Sequence, residues 1–125
     1  MRSWLTIAAL ALAGCVSEVR TTPVAVTQPY QDATVAGLKS TLKDPDSARF
    51  GPMVAARSDR TGVVRVCGTV NARNSYGGYS GEVRFVADLD DQKGTAPPVF
   101  KDGTVGSPAR RQDLGIHLLC GAAGL

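Results

Sequence analysis

The stretch that decides the fold is VVRVCGTVNARNSYGGYSGEVRFVADL, residues 63–89. Apolar residues alternate with others on each side of its glycine-rich centre, at Val64, Val66, Val70, Val83, Phe85, Ala87 and Leu89. Such alternation is typical of strands with one buried face, and Gly77 and Gly78 supply the backbone freedom of a turn. The pattern predicts two antiparallel strands joined by a loop that contains Tyr76 and Tyr79.

Two further elements are expected upstream of this pair. Residues 50–56 predict a third strand, and Pro52 places it at an edge or at a bulge because proline has no N–H for the ladder. Before it, Asp32 is expected to cap a helix, and residues 43–45, Lys-Asp-Pro, are expected to end it. The apolar stripe of this helix recurs at helical spacing on Val35, Leu38 and Leu42.

The C-terminal segment allows two interpretations. Ser107 and Pro108 are typical of a helix start, whereas Leu114, Ile116, Leu118 and Cys120 alternate as in a strand. We favour a helix because residues 110–112 are polar, although Gly115 weakens a helix by about 1 kcal/mol relative to alanine. The predicted fold is therefore one α+β domain over residues 30–125, with an N-terminal helix, a three-stranded antiparallel meander and a C-terminal helix.

The N-terminus resembles a bacterial lipoprotein signal. Arg2 precedes a short apolar run over residues 4–13, and Leu-Ala-Gly-Cys at 12–15 is similar to a lipobox. The resemblance implies removal of residues 1–14 and acylation of Cys15. By the same resemblance, Val16 favours the outer membrane of a Gram-negative cell, where the chain would lie on the periplasmic face. An ordinary secretory signal or an uncleaved anchor remain the alternatives.

Residues 15–29 contain threonine and proline without a sustained apolar period, which predicts a flexible tether behind the lipidated cysteine. The formal net charge of +3 falls to +2 when Arg2 is removed with the signal. The basic residues are scattered, so nothing favours nucleic acid as a partner. The expected partner is the membrane, contacted through the lipid on Cys15.

Cys67 and Cys120 are the two cysteines that remain after lipidation. An exported chain reaches an oxidising compartment, so we expect an intramolecular disulfide, which the chain-entropy model values at about 4 kcal/mol. A metal site or a nucleophilic thiol lacks support, since His117 is the only histidine and there is no CxxC motif. No metal or cofactor is expected. Cys67 lies on the strand face opposite Val64 and Val66, so the C-terminal element is expected to cover that second face of the sheet, unless Gly68 marks a bulge that switches it.

Two segments carry a resemblance to a known family. They are DPDSARF at residues 44–50 and CGTVNARNSYGGYSG at residues 67–81, followed by Phe85. The combination resembles a family of small exported or lipid-anchored bacterial proteins with the pattern DPxSAxF and CGxVNxxNxxGGYxG. The resemblance spans about residues 40–86, implies an extracytoplasmic location, and includes a cysteine near the C-terminus that Cys120 fits. It implies no activity and no catalytic residue.

The candidate binding residues lie in the second motif. Asn71 or Asn74 is expected to tie down the loop, while Tyr76 and Tyr79 either fold back onto the sheet or form an aromatic contact surface. The other residues that could carry chemistry are expected to have structural roles. Asp88, Asp90 and Asp91 predict a solvated turn, His117 a packed or partly exposed side chain, and Glu82 a cross-strand partner for Arg65 or Arg84.

The favoured function is therefore non-enzymatic. We expect a membrane-anchored envelope lipoprotein that acts as an interaction or structural accessory to another, unknown envelope protein. The alternative is a module that binds glycan, peptidoglycan or another small ligand at the loop of residues 71–81. An enzyme ranks third, because no nucleophile and base pair or carboxylate pair is evident. A concave site at Tyr76 and Tyr79 would favour a ligand, and a flat apolar patch would favour a protein.

Overall fold

The structure is a computed structural model that describes residues 19–74, 76–79, 81–107 and 110–125, with only the backbone at 110–113. The predicted signal segment, residues 1–14, and Cys15 lie outside the described residues. The elements in chain order are β1 (Thr21–Val24), α1 (Gln28–Lys39), a 3₁₀ turn (Pro45–Ser47), β2 (Arg49–Ser58), β3 (Val64–Asn71), β4 (Val83–Asp90), β5 (Val99–Val105) and α2 (Arg110–Ala122). The five strands form one antiparallel sheet in sequence order, with α1 and α2 on opposite faces.

The prediction of a three-stranded meander is wrong, because β1 and β5 add a strand at each edge of the sheet. β1 has only four residues and includes Pro23, so it lacks the length and alternation of an obvious strand. In β5, Lys101 and Asp102 interrupt the apolar pattern where the register with β4 shifts. Edge strands often carry such polar residues and irregularities, which also conceal them from sequence patterns. The folded region therefore begins within the segment predicted to be a tether.

The boundaries of α1 also differ from the prediction. The helix begins at Gln28, with Thr27 at the N-cap position, and Asp32 lies in its second turn. The Asp32 carboxylate accepts a hydrogen bond from the Gln28 side-chain amide at 2.7 Å instead of capping the backbone. Pro29 suits the first turn because that turn needs no intrahelical N–H donor. The helix ends at Lys39, before the Lys-Asp-Pro segment, which leads into the 3₁₀ turn.

The main core lies between α1 and one face of the sheet. Leu38 of α1 is fully buried there against the alternating apolar side chains of the central strands, Val64, Val66, Val70, Phe85, Ala87 and Leu89. Phe50 meets Phe85 edge-to-face with ring centroids 5.8 Å apart. The β2 register is irregular between Phe50 and Met53, around Pro52, as predicted for a proline-bearing strand.

The second face is covered by α2, which confirms the helical interpretation of the C-terminus. Cys67, Val86, Ile116 and Cys120 form a smaller buried cluster there. Cys67 and Cys120 form a disulfide with their Cα atoms 6.1 Å apart, as expected. The position of Cys67 on the face opposite Val64 and Val66 is also confirmed.

Candidate functional site

The two sequence motifs meet at the end of the sheet where the β3–β4 loop, residues 72–82, emerges. Ser47, in the 3₁₀ turn, joins them: its hydroxyl accepts a hydrogen bond from the Arg73 backbone N–H at 2.9 Å. The same hydroxyl donates to the Asp44 carbonyl at 2.8 Å. One serine therefore ties the connector before β2 to the start of the loop.

Tyr79 folds back onto this junction. Its hydroxyl donates to the Ser47 carbonyl at 3.2 Å, and a backbone bridge pairs it with Arg73. The guanidinium carbons of Arg49 and Arg73 lie 4.9 Å and 5.5 Å from the centre of its ring. Both distances allow cation–π attraction, so two cations hold Tyr79 at the base of the loop.

Tyr76 behaves differently, because its side chain is 97% exposed at the loop tip. The loop beneath it is ordered by Asn74, whose side-chain oxygen accepts hydrogen bonds from the backbone N–H groups of Tyr76 at 2.9 Å and Gly78 at 3.3 Å. Gly77 has a φ of 81°, a conformation that favours glycine. The structure thus divides the two tyrosines between the predicted roles, with Tyr79 in the scaffold and Tyr76 presented to solvent.

Asn71, the fourth predicted site residue, lies at the end of β3 opposite Arg49 in the register. Its side-chain oxygen is buried, and within the described residues it has no hydrogen-bond partner. Asn71 is therefore part of the sheet end and not of the loop tip. Of the four predicted residues, only Tyr76 combines full exposure with an apolar side chain that a partner could contact.

One cleft lies at this end of the sheet, and another lies at the far end, on the α2 face. The first, of about 370 Å³, lies between the end of α1 and the ends of β3, β4 and β5, and its lining includes Leu42, Arg73 and Val105. The other, of about 290 Å³, lies beside the end of α2 and is lined by Val19, Ala56 and Ala122 among others. Neither cleft is lined by Tyr76 or Tyr79.

A buried polar cluster on the α1 face was not recognised from the sequence. The Asp91 carboxylate, with no solvent exposure, accepts hydrogen bonds from the hydroxyl of Tyr30 and the guanidinium of Arg57. Burial alone raises the pKa of Asp91, but hydrogen bonds from Tyr30, the Gly94 backbone and Arg57 outweigh it and hold this pKa below its usual value. Burial and the Asp91 carboxylate raise the pKa of Tyr30.

Asp91 therefore corrects the prediction that the Asp88–Asp91 segment is a solvated turn. Asp88 is also engaged, since its carboxylate receives two hydrogen bonds from Arg65 at 2.8 Å and 2.7 Å. Glu82, which was expected to pair with an arginine, accepts a hydrogen bond from the Thr69 hydroxyl at 2.6 Å. The alternation of β4 in the sequence could have predicted the Asp88 contact, because it places Asp88 on the α2 face beside Arg65.

His117 is exposed on α2, and its Nδ1 lies 2.9 Å from a guanidinium nitrogen of Arg84. Within the described ranges, no three His, Cys, Asp or Glu side chains are grouped to hold a metal ion. In the same part of the chain, no helix has the length and apolar character needed to cross a bilayer. The chain matches no protein-family model, no curated protein and no solved structure.

Proposed function

We propose that this protein is a lipid-anchored, non-enzymatic lipoprotein of the bacterial envelope that contacts another envelope protein through the tip of the β3–β4 loop. The lipobox-like sequence at residues 12–15 supports the anchor on Cys15, and Val16, by its resemblance to the sorting position of bacterial lipoproteins, supports a position at the periplasmic face of the outer membrane. The observation that carries the contact surface is the 97% exposure of Tyr76 on an ordered loop.

A tyrosine presented in this way is suited to protein recognition. Tyrosine gives a large amphipathic contact area at a small cost in side-chain entropy, and it is enriched among residues that dominate binding energies. Asn74 and Tyr79 hold the loop before any partner arrives, so less ordering entropy is lost on binding. The guanidinium groups of Arg49 and Arg73 add positive charge at the base of the same surface.

The loop and the expected anchor lie at opposite ends of the sheet. The chain enters the sheet at Thr21, which pairs with Ser58 at the end where β3 begins. The β3–β4 loop leaves from the other end of β3, roughly 25 Å away for eight residues at about 3.3 Å each. Tyr76 is therefore remote from the point of attachment and free to meet a partner.

Several of the chemically reactive side chains in the described residues are engaged in structural contacts, which supports a non-enzymatic role. Cys67 and Cys120 are joined to each other, and His117 contacts Arg84. Asp88 and Asp91 hold arginines in ion pairs. Binding of a glycan at Tyr76 is the second candidate, since an exposed ring can stack on a sugar, but the absence of Tyr76 and Tyr79 from the lining of the two clefts favours a protein surface.

The anchor is tested by Cys15→Ala in cells of the native host. We expect this variant to lose labelling by a fatty-acid analogue and to leave the membrane fraction, because no acyl chains hold it there. Ser17→Ala is the matched control, since it makes an equally small change two residues further along and leaves both the lipobox and the Cys67–Cys120 disulfide intact. Unchanged lipid labelling of Cys15→Ala would contradict the anchor.

The contact surface is tested by a photo-crosslinking amino acid placed at residue 76 in the lipidated protein, in its own membrane. The control places the same group at Ala36, an exposed position on α1. We expect a defined protein adduct from residue 76 that is absent from residue 36. We also expect the same partner protein to co-purify with wild type and not with the Tyr76→Ser variant. Recovery of glycan instead of protein at residue 76 would favour the second candidate, and equal adducts from both positions would contradict the proposal.

A further inference from the structure

Helix α2 has two apolar sides, of which only one faces the sheet. Ile116 and Cys120 are buried in the second core, with exposed fractions of 2% and 5%. Leu114 and Leu118, four residues apart and on the other side of the helix, are 60% and 62% exposed. The strand-like alternation of this segment in the sequence thus becomes, on a helix, one buried stripe and one solvent-facing stripe.

The other exposed apolar side chains share this side of the sheet. Val54 is 52% exposed and pairs with Cys67 in the register, and Val99 is 63% exposed and pairs with Asp90. Val19, at 52% exposure, lines the cleft beside Ala122. Within the described residues, the large exposed apolar side chains other than the two loop tyrosines therefore lie on the α2 side. The face under α1 is covered by that helix.

The first strand, which follows the segment predicted to carry the lipid, begins next to the C-terminal end of α2. The hydroxyl of Thr21, the first residue of β1, donates to the carbonyl of Ala123 at 3.0 Å, just beyond the C-terminal end of α2. Cys15 precedes Thr21 by six residues, which span at most about 20 Å when fully extended. An acyl group on Cys15 would hold α2 within a few helix diameters of the lipid surface.

We propose that the solvent-facing side of α2, with Leu114 and Leu118 at its centre, rests on the membrane to which Cys15 is anchored. The inference depends on the anchor in the proposed function. An amphipathic helix in such a position inserts its apolar side chains into the boundary between headgroups and acyl chains. Because the tether makes the contact intramolecular, even a weak intrinsic affinity suffices to keep the helix on the surface.

The charges around the stripe fit an anionic headgroup region. Arg84 lies beside Leu114 and His117 in a shallow cleft, and Glu82, the acidic residue in that cleft, is engaged by Thr69. α2 also begins with Arg110 and Arg111 in the sequence, which outnumber its one acidic residue, Asp113. Cations near anionic lipids are attracted to the surface within a Debye length. In this orientation the β3–β4 loop lies at the rim of the domain, and α1 faces away from the membrane.

Tryptophan fluorescence tests the orientation directly. The only tryptophan of the chain is Trp4, within the segment expected to be removed, so a new tryptophan in the mature protein is a single reporter. Lipidated protein carrying Leu118→Trp or Leu114→Trp is reconstituted in vesicles of phosphatidylethanolamine and phosphatidylglycerol with brominated acyl chains. The matched control is Ala36→Trp, an exposed position on α1 across the sheet.

We expect blue-shifted emission and several-fold stronger quenching by bromine for both α2 reporters than for the α1 control. Sedimentation with the vesicles measures anchoring separately. Protein that sediments but shows equal quenching at residues 118 and 36 would overturn the orientation while leaving the anchor intact. Protein that does not sediment would overturn both. The same Leu118→Trp reporter can be placed in a soluble Cys15→Ser protein without vesicles. Emission from this protein that shifts to the blue as its concentration rises would assign the surface to a second copy of the chain and overturn the membrane contact.

Discussion

The buried carboxylate of Asp91 and the guanidinium of Arg57 form an ion pair that joins the end of β4 to β2. The Tyr30 hydroxyl completes the cluster from α1, donating to Asp91 and accepting from Arg57 at 3.2 Å. Three elements on the α1 face are thus fixed to one another by one carboxylate. Such an arrangement makes removal of the charge costly, because the arginine loses its partner in a region with little water.

Asp91→Asn should lower the free energy of unfolding by about 2–4 kcal/mol, somewhat below the loss for a fully buried pair because Arg57 remains 25% exposed. Urea unfolding measures this change. The matched control, Asp102→Asn on an exposed strand position, should stay within about 0.5 kcal/mol of wild type. A loss for Asp91→Asn no larger than that of the control would contradict a stabilising role for the pair.

The same carboxylate predicts a pH dependence. The folded-state pKa of Asp91 is lowered, so its contribution to stability is complete above the unfolded-state pKa of about 4 and is lost as the pH falls through the lower folded value. Wild type should lose thermal stability on acidification below about pH 4 more steeply than Asp91→Asn. Melting temperatures measured across this range check the slope. If the melting temperatures of wild type and Asp91→Asn fall equally steeply with decreasing pH, the lowered pKa of Asp91 is contradicted.

The sequence predicted the central part of the sheet and the disulfide, because each depends on a local or covalent pattern. Val64, Val66 and Phe85 alternate as strand residues do, and Cys120 is the one cysteine left to pair with Cys67 if Cys15 is lipidated as predicted. The edge strand β1 was not recognised because a four-residue strand containing Pro23 is stabilised by its neighbour and not by its own propensity. Sequence patterns describe such context poorly.

The candidate site was recognised only in part, for a similar reason. Tyr76 and Tyr79 are three residues apart on one glycine-rich loop, and nothing local distinguishes their roles. The difference arises from Ser47 and Arg49, which lie far from the loop in sequence and hold Tyr79. Asp91 illustrates the same limit, since its burial depends on Tyr30, which lies 61 residues away.

The two tyrosines should respond differently to substitution. Tyr79→Ser removes two cation–π contacts and a hydrogen bond, so we expect a loss of about 1–3 kcal/mol in the free energy of unfolding. Tyr76→Ser removes an exposed ring and should change it by less than about 0.5 kcal/mol. Thermal melts of both variants provide the measurement, and similar losses would mean that Tyr76 also packs onto the scaffold.

Removal of the disulfide should release α2 from the sheet. The cysteines are 53 residues apart, and the chain-entropy model gives about 4 kcal/mol for a loop of this length. Cys67→Ala/Cys120→Ala should therefore be strongly destabilised, with hydrogen exchange in α2 increased more than in α1, because α2 rests on a smaller buried cluster. Alkylation of two free thiols in wild-type protein isolated without reductant from its native cells would contradict the bridge itself.

Glycines in the two helices offer the last comparison. Gly37 of α1 lies against the ring of Phe100, and a Cβ there would be 2.1 Å from the ring carbons. Gly37→Ala should therefore destabilise the protein by about 1–3 kcal/mol despite the better helix propensity of alanine, because α1 must move away from β5. At Gly115 of α2 a Cβ would meet nothing within 4 Å, so Gly115→Ala should stabilise by up to about 1 kcal/mol. Urea unfolding measures the change in the free energy of unfolding for both variants. A stabilised Gly37→Ala variant would contradict the close packing of Phe100 against α1.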